Sequence, residues 1–161
     1  MKINIEKIKL AKGLSQTYLI EENTQDFTFH GENIKFLAPL KVKGEITNSG
    51  EIFTVDGSFE TKLGLQCGRC LEEFVLPMEV AFDAAFALAS EDEEIRLLDG
   101  DEIILDEILN EALLLDLPLK FLCNEECKGL CPQCGCNQNE KTCSCTKPID
   151  PRLGVLAELL K

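Results

Sequence analysis

Residues 39–88 read PLKVKGEITNSGEIFTVDGSFETKLGLQCGRCLEEFVLPMEVAFDAAFAL, and their apolar residues fall largely on a two-residue period. Leu40, Val42 and Ile46 alternate with Lys41, Lys43, Glu45 and Thr47. Asn48-Ser49-Gly50 is turn chemistry. Phe53 and Val55 resume the alternation, and Asp56-Gly57 favours a tight hairpin turn. Phe59, Leu63 and Leu65 then alternate with Glu60, Lys62 and Gln66. From Phe74 the pattern is long. Phe74, Leu76, Met78, Val80, Phe82, Ala84, Phe86 and Leu88 share one face, with Glu73, Pro77, Glu79 and Asp83 on the other. Proline cannot donate to a strand ladder, so Pro77 places this strand at an edge or a bulge. The stretch predicts an antiparallel meander, wet on one face and packed on the other, curling toward a barrel.

Outward from it, the signals are weaker. Ile3, Ile5, Ile8 and Leu10 suit a bulged strand, and 26–29 suit a short one. His30 beside Gly31 is turn-like, and with no second histidine it is assigned no chemistry. Residues 90–94 read as an acidic, solvated loop. A helix is predicted over 101–116, with Ile104, Ile108, Ala112 and Leu115 at helical spacing, widened by Leu105, Leu109 and Leu113. Pro118 ends it. A short last helix is predicted from Asp150-Pro151, a good N-cap followed by a good first-turn residue. The division expected is a sheet-plus-helix core over 1–120 and a cysteine-rich tail over 121–161.

The formal charge of −13 is uneven. Residues 1–50 carry seven lysines against six acids, and 121–161 carry five of each sign. Residues 51–120 carry four bases against eighteen acids. That balance argues against bulk attraction to phosphate backbones. The N-terminal stretch lacks an apolar signal region, and no apolar run approaches the roughly 18 residues of a membrane span. The reading is a cytoplasmic protein, where disulfides rarely persist. Ser/His/Asp chemistry has little support with one histidine, and no Walker-type phosphate loop occurs. No catalytic residue and no small-molecule substrate are assigned.

Nine cysteines in such a chain point to metal or thiol chemistry. Seven fall between Cys123 and Cys145. Cys131-Pro132-Gln133-Cys134-Gly135 is the strongest piece, because two intervening residues let both sulfurs reach one ion. The tail is read as binding structural zinc, through Cys123, Cys127, Cys131, Cys134, Cys143 and Cys145 as candidate ligands. Cys136, next to the knuckle glycine, is the expected bystander. Cys67-Gly68-Arg69-Cys70 belongs at a hairpin tip and admits four readings. It is a redox pair with Arg69 lowering a thiol pKa, a pair of metal ligands that with six tail thiols makes eight, enough for two sites of four thiolates each, a partner-recognition tip, or a structural turn.

Three motifs together resemble a known family. They are Cys67-Gly68-Arg69-Cys70-Leu71-Glu72 with Phe74; Cys127-Lys128-Gly129-Leu130-Cys131-Pro132 with Cys134-Gly135, Cys143 and Cys145; and Ile149-Asp150-Pro151-Arg152-Leu153. The chain is similar, from about residue 40 to its end, to the bacterial YceD-like family of large ribosomal RNA subunit accumulation proteins. The resemblance implies support of 23S rRNA accumulation by a non-enzymatic binding or adaptor protein. It implies a partner among large-subunit ribosomal proteins or assembly factors, at most weak rRNA contact, and no membrane. Family members without the tail cysteines keep the Cys67, Arg69 and Cys70 element, which favours an independent, partner-binding tip. Cys136 is outside the family pattern. A glutamate usual just before Phe86 is absent here, where Ala84-Ala85 stands. The rival reading is a thiol-dependent redox protein or metal chaperone using Cys67 and Cys70.

Overall fold

The computed structural model describes residues 1–89, 91–92, 95–98 and 100–145. The expected helix at Asp150-Pro151 lies outside the described residues. The described elements begin with β1 (Lys2–Asn4), α1 (Glu6–Lys9), β2 (Ser15–Glu22), β3 (Phe27–Phe29), β4 (Glu32–Phe36) and β5 (Leu40–Asn48). They continue with β6 (Ile52–Gln66), β7 (Glu73–Ala87), β8 (Ile95–Leu97), β9 (Glu102–Ile104) and α2 (Asp106–Asp116). The class is α+β, mostly antiparallel sheet with few helices.

The hairpin of β6 and β7 is the spine. The two strands pair antiparallel from Ile52 opposite Ala87 to Gln66 opposite Glu73. β6 offers its other edge to two strands in succession, β5 opposite 53–60 and β4 opposite Leu63 and Gly64. β2 pairs outside β5 and β3 outside β4. β8 lies parallel beside 85–87. The sheet is open rather than barrel-like, because no ladder among the described residues joins its outer strands. Pro77 sits where expected, on the stretch of β7 that β8 leaves unpaired.

The two-residue period holds through the spine. Phe53, Val55, Phe59, Leu63 and Leu65 of β6 are buried on the face shared with Met78, Val80, Phe82 and Phe86 of β7. Each such side chain contributes roughly 1.5–3 kcal/mol on burial. Asp56-Gly57 does not turn. β6 runs straight through it, and the reason lies in a row across the sheet: Tyr18, Gly44, Gly57 and Phe82 are successive partners. A Cβ on Gly57 would lie 2.5 Å from the Tyr18 hydroxyl, and one on Gly44 only 2.1 Å from the Asp56 carbonyl oxygen. The glycines make room for the tyrosine ring instead of a bend. Asn48-Ser49-Gly50 is the true turn, with Asn48 buried and donating to the Ile8 carbonyl at 2.6 Å.

The helix predicted over 101–116 is shorter. Residues 102–104 form β9, which pairs with β1 and buries Ile103 opposite Ile3. The partner strand claimed these residues, and their apolar pattern suits both periods. α2 buries Ile108, Leu109 and Leu113, while Leu115 is 87% exposed. At the N-terminus, Ile3, Ile5 and Ile8 are buried, but through a short strand and a helical turn rather than one bulged strand. No helix among the described residues is long and apolar enough to cross a membrane.

Candidate metal centres at the hairpin tip

Cys67 continues the buried phase of β6 past its last paired residue, with no exposed surface. The tip closes by Leu71 N–H donating to the Cys67 carbonyl and Cys67 N–H to that of Glu72, both at 2.9 Å. Beyond α2 and Pro118 the chain runs back under this tip. Gly68 N–H donates to the Phe121 carbonyl at 2.9 Å, and Leu130 N–H to the Arg69 carbonyl at 3.1 Å. Arg69 Nη1 donates to the carbonyls of Cys127 at 2.9 Å and Glu125 at 3.2 Å. Gly129, at φ +73°, comes so close that a Cβ there would lie 2.9 Å from the Arg69 carbonyl oxygen.

This docking gathers four thiols from two segments far apart in the chain. The sulfurs of Cys67, Cys70, Cys123 and Cys127 lie within 4.8 Å of one another. Cys67 Sγ and Cys127 Sγ are 3.8 Å apart, and Cys70 Sγ and Cys123 Sγ 3.6 Å. Four thiolates around one tetrahedral ion at about 2.3 Å stand roughly 3.8 Å apart, so the donor set and its spacing fit such an ion. A second quartet is local. Cys131, Cys134, Cys143 and Cys145 also lie within 4.8 Å of one another. The knuckle turn forms as its motif suggests, with Gly135 N–H donating to the Cys131 carbonyl at 2.8 Å and Cys131 N–H to that of Cys136 at 2.9 Å. Cys136 belongs to neither quartet.

Backbone amides aimed at sulfur prepare both sites. Burial opposes charge on Cys67, but the amides of Cys123, Cys70 and Arg69 overcome it and bring the thiol down to about 6. The amides of Cys134 and Gln133 bring Cys131 to about 6. Neighbouring thiolates then resist further ionisation. Cys123 is pushed up to about 12 by the Cys70 sulfur, burial and Cys127, and Cys145 to about 12 by Cys134, burial and Cys143. A dication would offset that repulsion and draw off the remaining protons.

The six tail thiols named as candidate ligands fall into two quartets, and the tip thiols complete the first, which is the arrangement of the metal reading of Cys67 and Cys70. The tip does not stand apart from the tail as expected. Cys67 and Cys70 are buried against it, and Arg69, though exposed, gives its Nη1 to two tail carbonyls. Sequence periodicity carried part of this signal, since Cys67 follows Leu63 and Leu65 on the inward face. The approach of residues 121–130 had no local signal.

Residues 55–160 match the model of the family described as "Large ribosomal RNA subunit accumulation protein YceD". The uncharacterized protein YlbN of Bacillus subtilis (strain 168) is 27% identical over 158 residues, covering 91% of this chain and 90% of that protein. The uncharacterized protein Rv2926c of Mycobacterium tuberculosis is 29% identical over 131 residues, 77% of this chain and 62% of that protein. The maize "Large ribosomal RNA subunit accumulation protein YCED homolog 1, chloroplastic" is 28% identical over 142 residues, 67% of this chain. The chain spans about half of that maize protein, 48% of its length. No solved structure matches.

Proposed function

Since the chain belongs to the YceD family of large ribosomal RNA subunit accumulation proteins, we propose that it is a non-enzymatic binding or adaptor factor in large-subunit biogenesis. The observation that carries this reading is the family match over residues 55–160. The metal is read as structural zinc. Cysteine thiolates select soft ions, and four of them fill every position of a tetrahedral centre, leaving none open for substrate or water. The work is placed in the cytoplasm, where thiols stay reduced.

The partner proposed is a basic protein of the large subunit or an assembly factor, with rRNA contacted weakly. Support comes from the sheet's outer face. Glu45, Asp56 and Asp83 stand directly opposite one another across β5, β6 and β7, all exposed. Like charges so placed destabilise a sheet. A cationic protein surface would relieve the repulsion and be steered by it. The redox alternative draws no support from thiols buried in a quartet.

The test is a tagged pull-down at physiological salt, with and without RNase, paired with depletion in the host. The expected result is an RNase-resistant basic large-subunit protein or assembly factor, and a fall in large-subunit rRNA on depletion. Tight binding of the purified chain to bare rRNA, falling steeply with salt, would refute the adaptor reading. Unchanged large-subunit rRNA on depletion would refute the biogenesis role.

A further inference from the structure

The first quartet draws its ligands from places far apart in the chain, two from the β6–β7 tip and two from the segment after α2. The second draws all four from residues 131–145. No sulfur is shared between them, so the thiols are arranged for two separate ions rather than for one bridged cluster. One side chain from the second quartet's loop nevertheless reaches the first quartet. Asn139 lies between Cys134 and Cys143, in the loop that the second quartet encloses. Its Nδ2 donates to Cys127 Sγ, a ligand of the first quartet, at 3.2 Å. Its Oδ1 accepts from Lys128 N–H at 2.8 Å. Asn137 Oδ1 accepts from both Asn139 N–H at 3.0 Å and Asn139 Nδ2 at 2.9 Å, which fixes the amide with its nitrogen toward sulfur.

We infer that the chain holds two separate zinc ions, the first joining the hairpin tip to the tail, and that Asn139 in the second site's loop positions and stabilises the first. The chemistry is that of outer-shell support. Four thiolates around one dication leave a net charge of two minus. An N–H aimed at sulfur disperses part of that charge and holds the ligand in orientation. The second ion shapes the loop that presents Asn139, so loading of the second site strengthens the first. The sheet supplies half of the first site, so that ion ties the tail to the spine. Asn139 is a positioning residue and is not itself a ligand.

This inference rests on the structural-zinc reading but needs no ribosomal role, so metal binding tests it alone. The experiment uses the full chain, reduced throughout, with zinc per chain read by native mass spectrometry and ion release by titration with a chromophoric chelator. Two ions are expected in the unmutated chain, and one in each of Cys70→Ser and Cys143→Ser. Asn139→Ala should keep two ions but release one at about tenfold lower chelator concentration, the other being unmoved. Asn139→Asp keeps the acceptor for Lys128 N–H and turns a carboxylate toward thiolate, so its loosely held ion should leave more readily still. Cobalt(II) titration of the unmutated chain gives a check free of folding effects, with tetrahedral ligand-field bands growing to two equivalents and then stopping. Zero bound zinc would overturn the metal reading itself. One ion per unmutated chain, or Cys70→Ser retaining two, would overturn the two-site arrangement. Loss of both ions from either cysteine variant while its sheet stays folded would do the same. Asn139 variants with both affinities unchanged would overturn the coupling.

Discussion

Tyr18 shows how single residues set this fold. Its ring lies over two glycines, and its hydroxyl donates to the Asp56 carbonyl at 3.3 Å. Burial, with Asp56 nearby, pushes the phenol from 10.0 up to about 12. Between those values the unfolded chain releases the proton while the folded chain holds it. Stability should thus be complete below about pH 10 and fall as pH rises toward 12. The chain has one tyrosine, so tyrosinate absorbance reads the group directly. A midpoint near 10 in the folded protein would contradict the packing described. Gly57→Ala meets the Tyr18 hydroxyl and the Lys43 carbonyl oxygen at 2.8 Å or less. It should cost about 1–3 kcal/mol in urea unfolding, the range for an overpacked core. A neutral result would mean that the strands yield freely there.

At the scale of elements, α2 has one working face and it is not the one its full apolar content suggests. Leu113 is 4% exposed and Leu115 is 87% exposed. Leu113→Ala should destabilise by about 3 kcal/mol through lost burial and the cavity left behind. Leu115→Ala should fall within about 0.5 kcal/mol of the parent. Equal losses at both positions would place α2 in another register. The tip is the other element under test. Arg69 holds the carbonyls of Glu125 and Cys127, so Arg69→Ala should speed amide exchange in 123–130 and leave the β5–β6 ladder protected. An unchanged tail would assign Arg69 to contacts outside the chain, as the sequence alone suggested.

For the whole molecule, the sheet and the tail draw stability from different sources. The sheet buries its own apolar face, while the tail has few apolar side chains and many thiols. Stripping metal with a chelator under reducing conditions should therefore release 123–145 to protease and leave the β6–β7 spine intact. Acid should do the same, because protons compete with metal for thiolate. Cooperative loss of the sheet in either experiment would show the tail to be integral to the core. Charge acts at this scale too. With eighteen acids against four bases in 51–120, affinity for bare RNA should change little with salt, since few phosphates can be neutralised.

The spine was legible from residues because its period of two runs through nearly all of β5, β6 and β7, and one buried face enforces that register. The knuckle at Cys131 to Gly135 was equally local. What sequence could not decide was which segments far apart in the chain meet. Asp56-Gly57 carries turn chemistry, but the space Tyr18 needs, arriving from 38 residues away, decides for a straight strand. Residues 102–104 suit a helix until β1, about a hundred positions earlier, takes them as a partner. Likewise tail thiols were one set of partners open to Cys67, but nothing near it singles out Cys127, 60 residues on. Local pattern determines which residues are buried and which sulfurs can ligate. Only the closing of long loops, whose entropy the chain must offset with contacts made nowhere else, decides which of them meet.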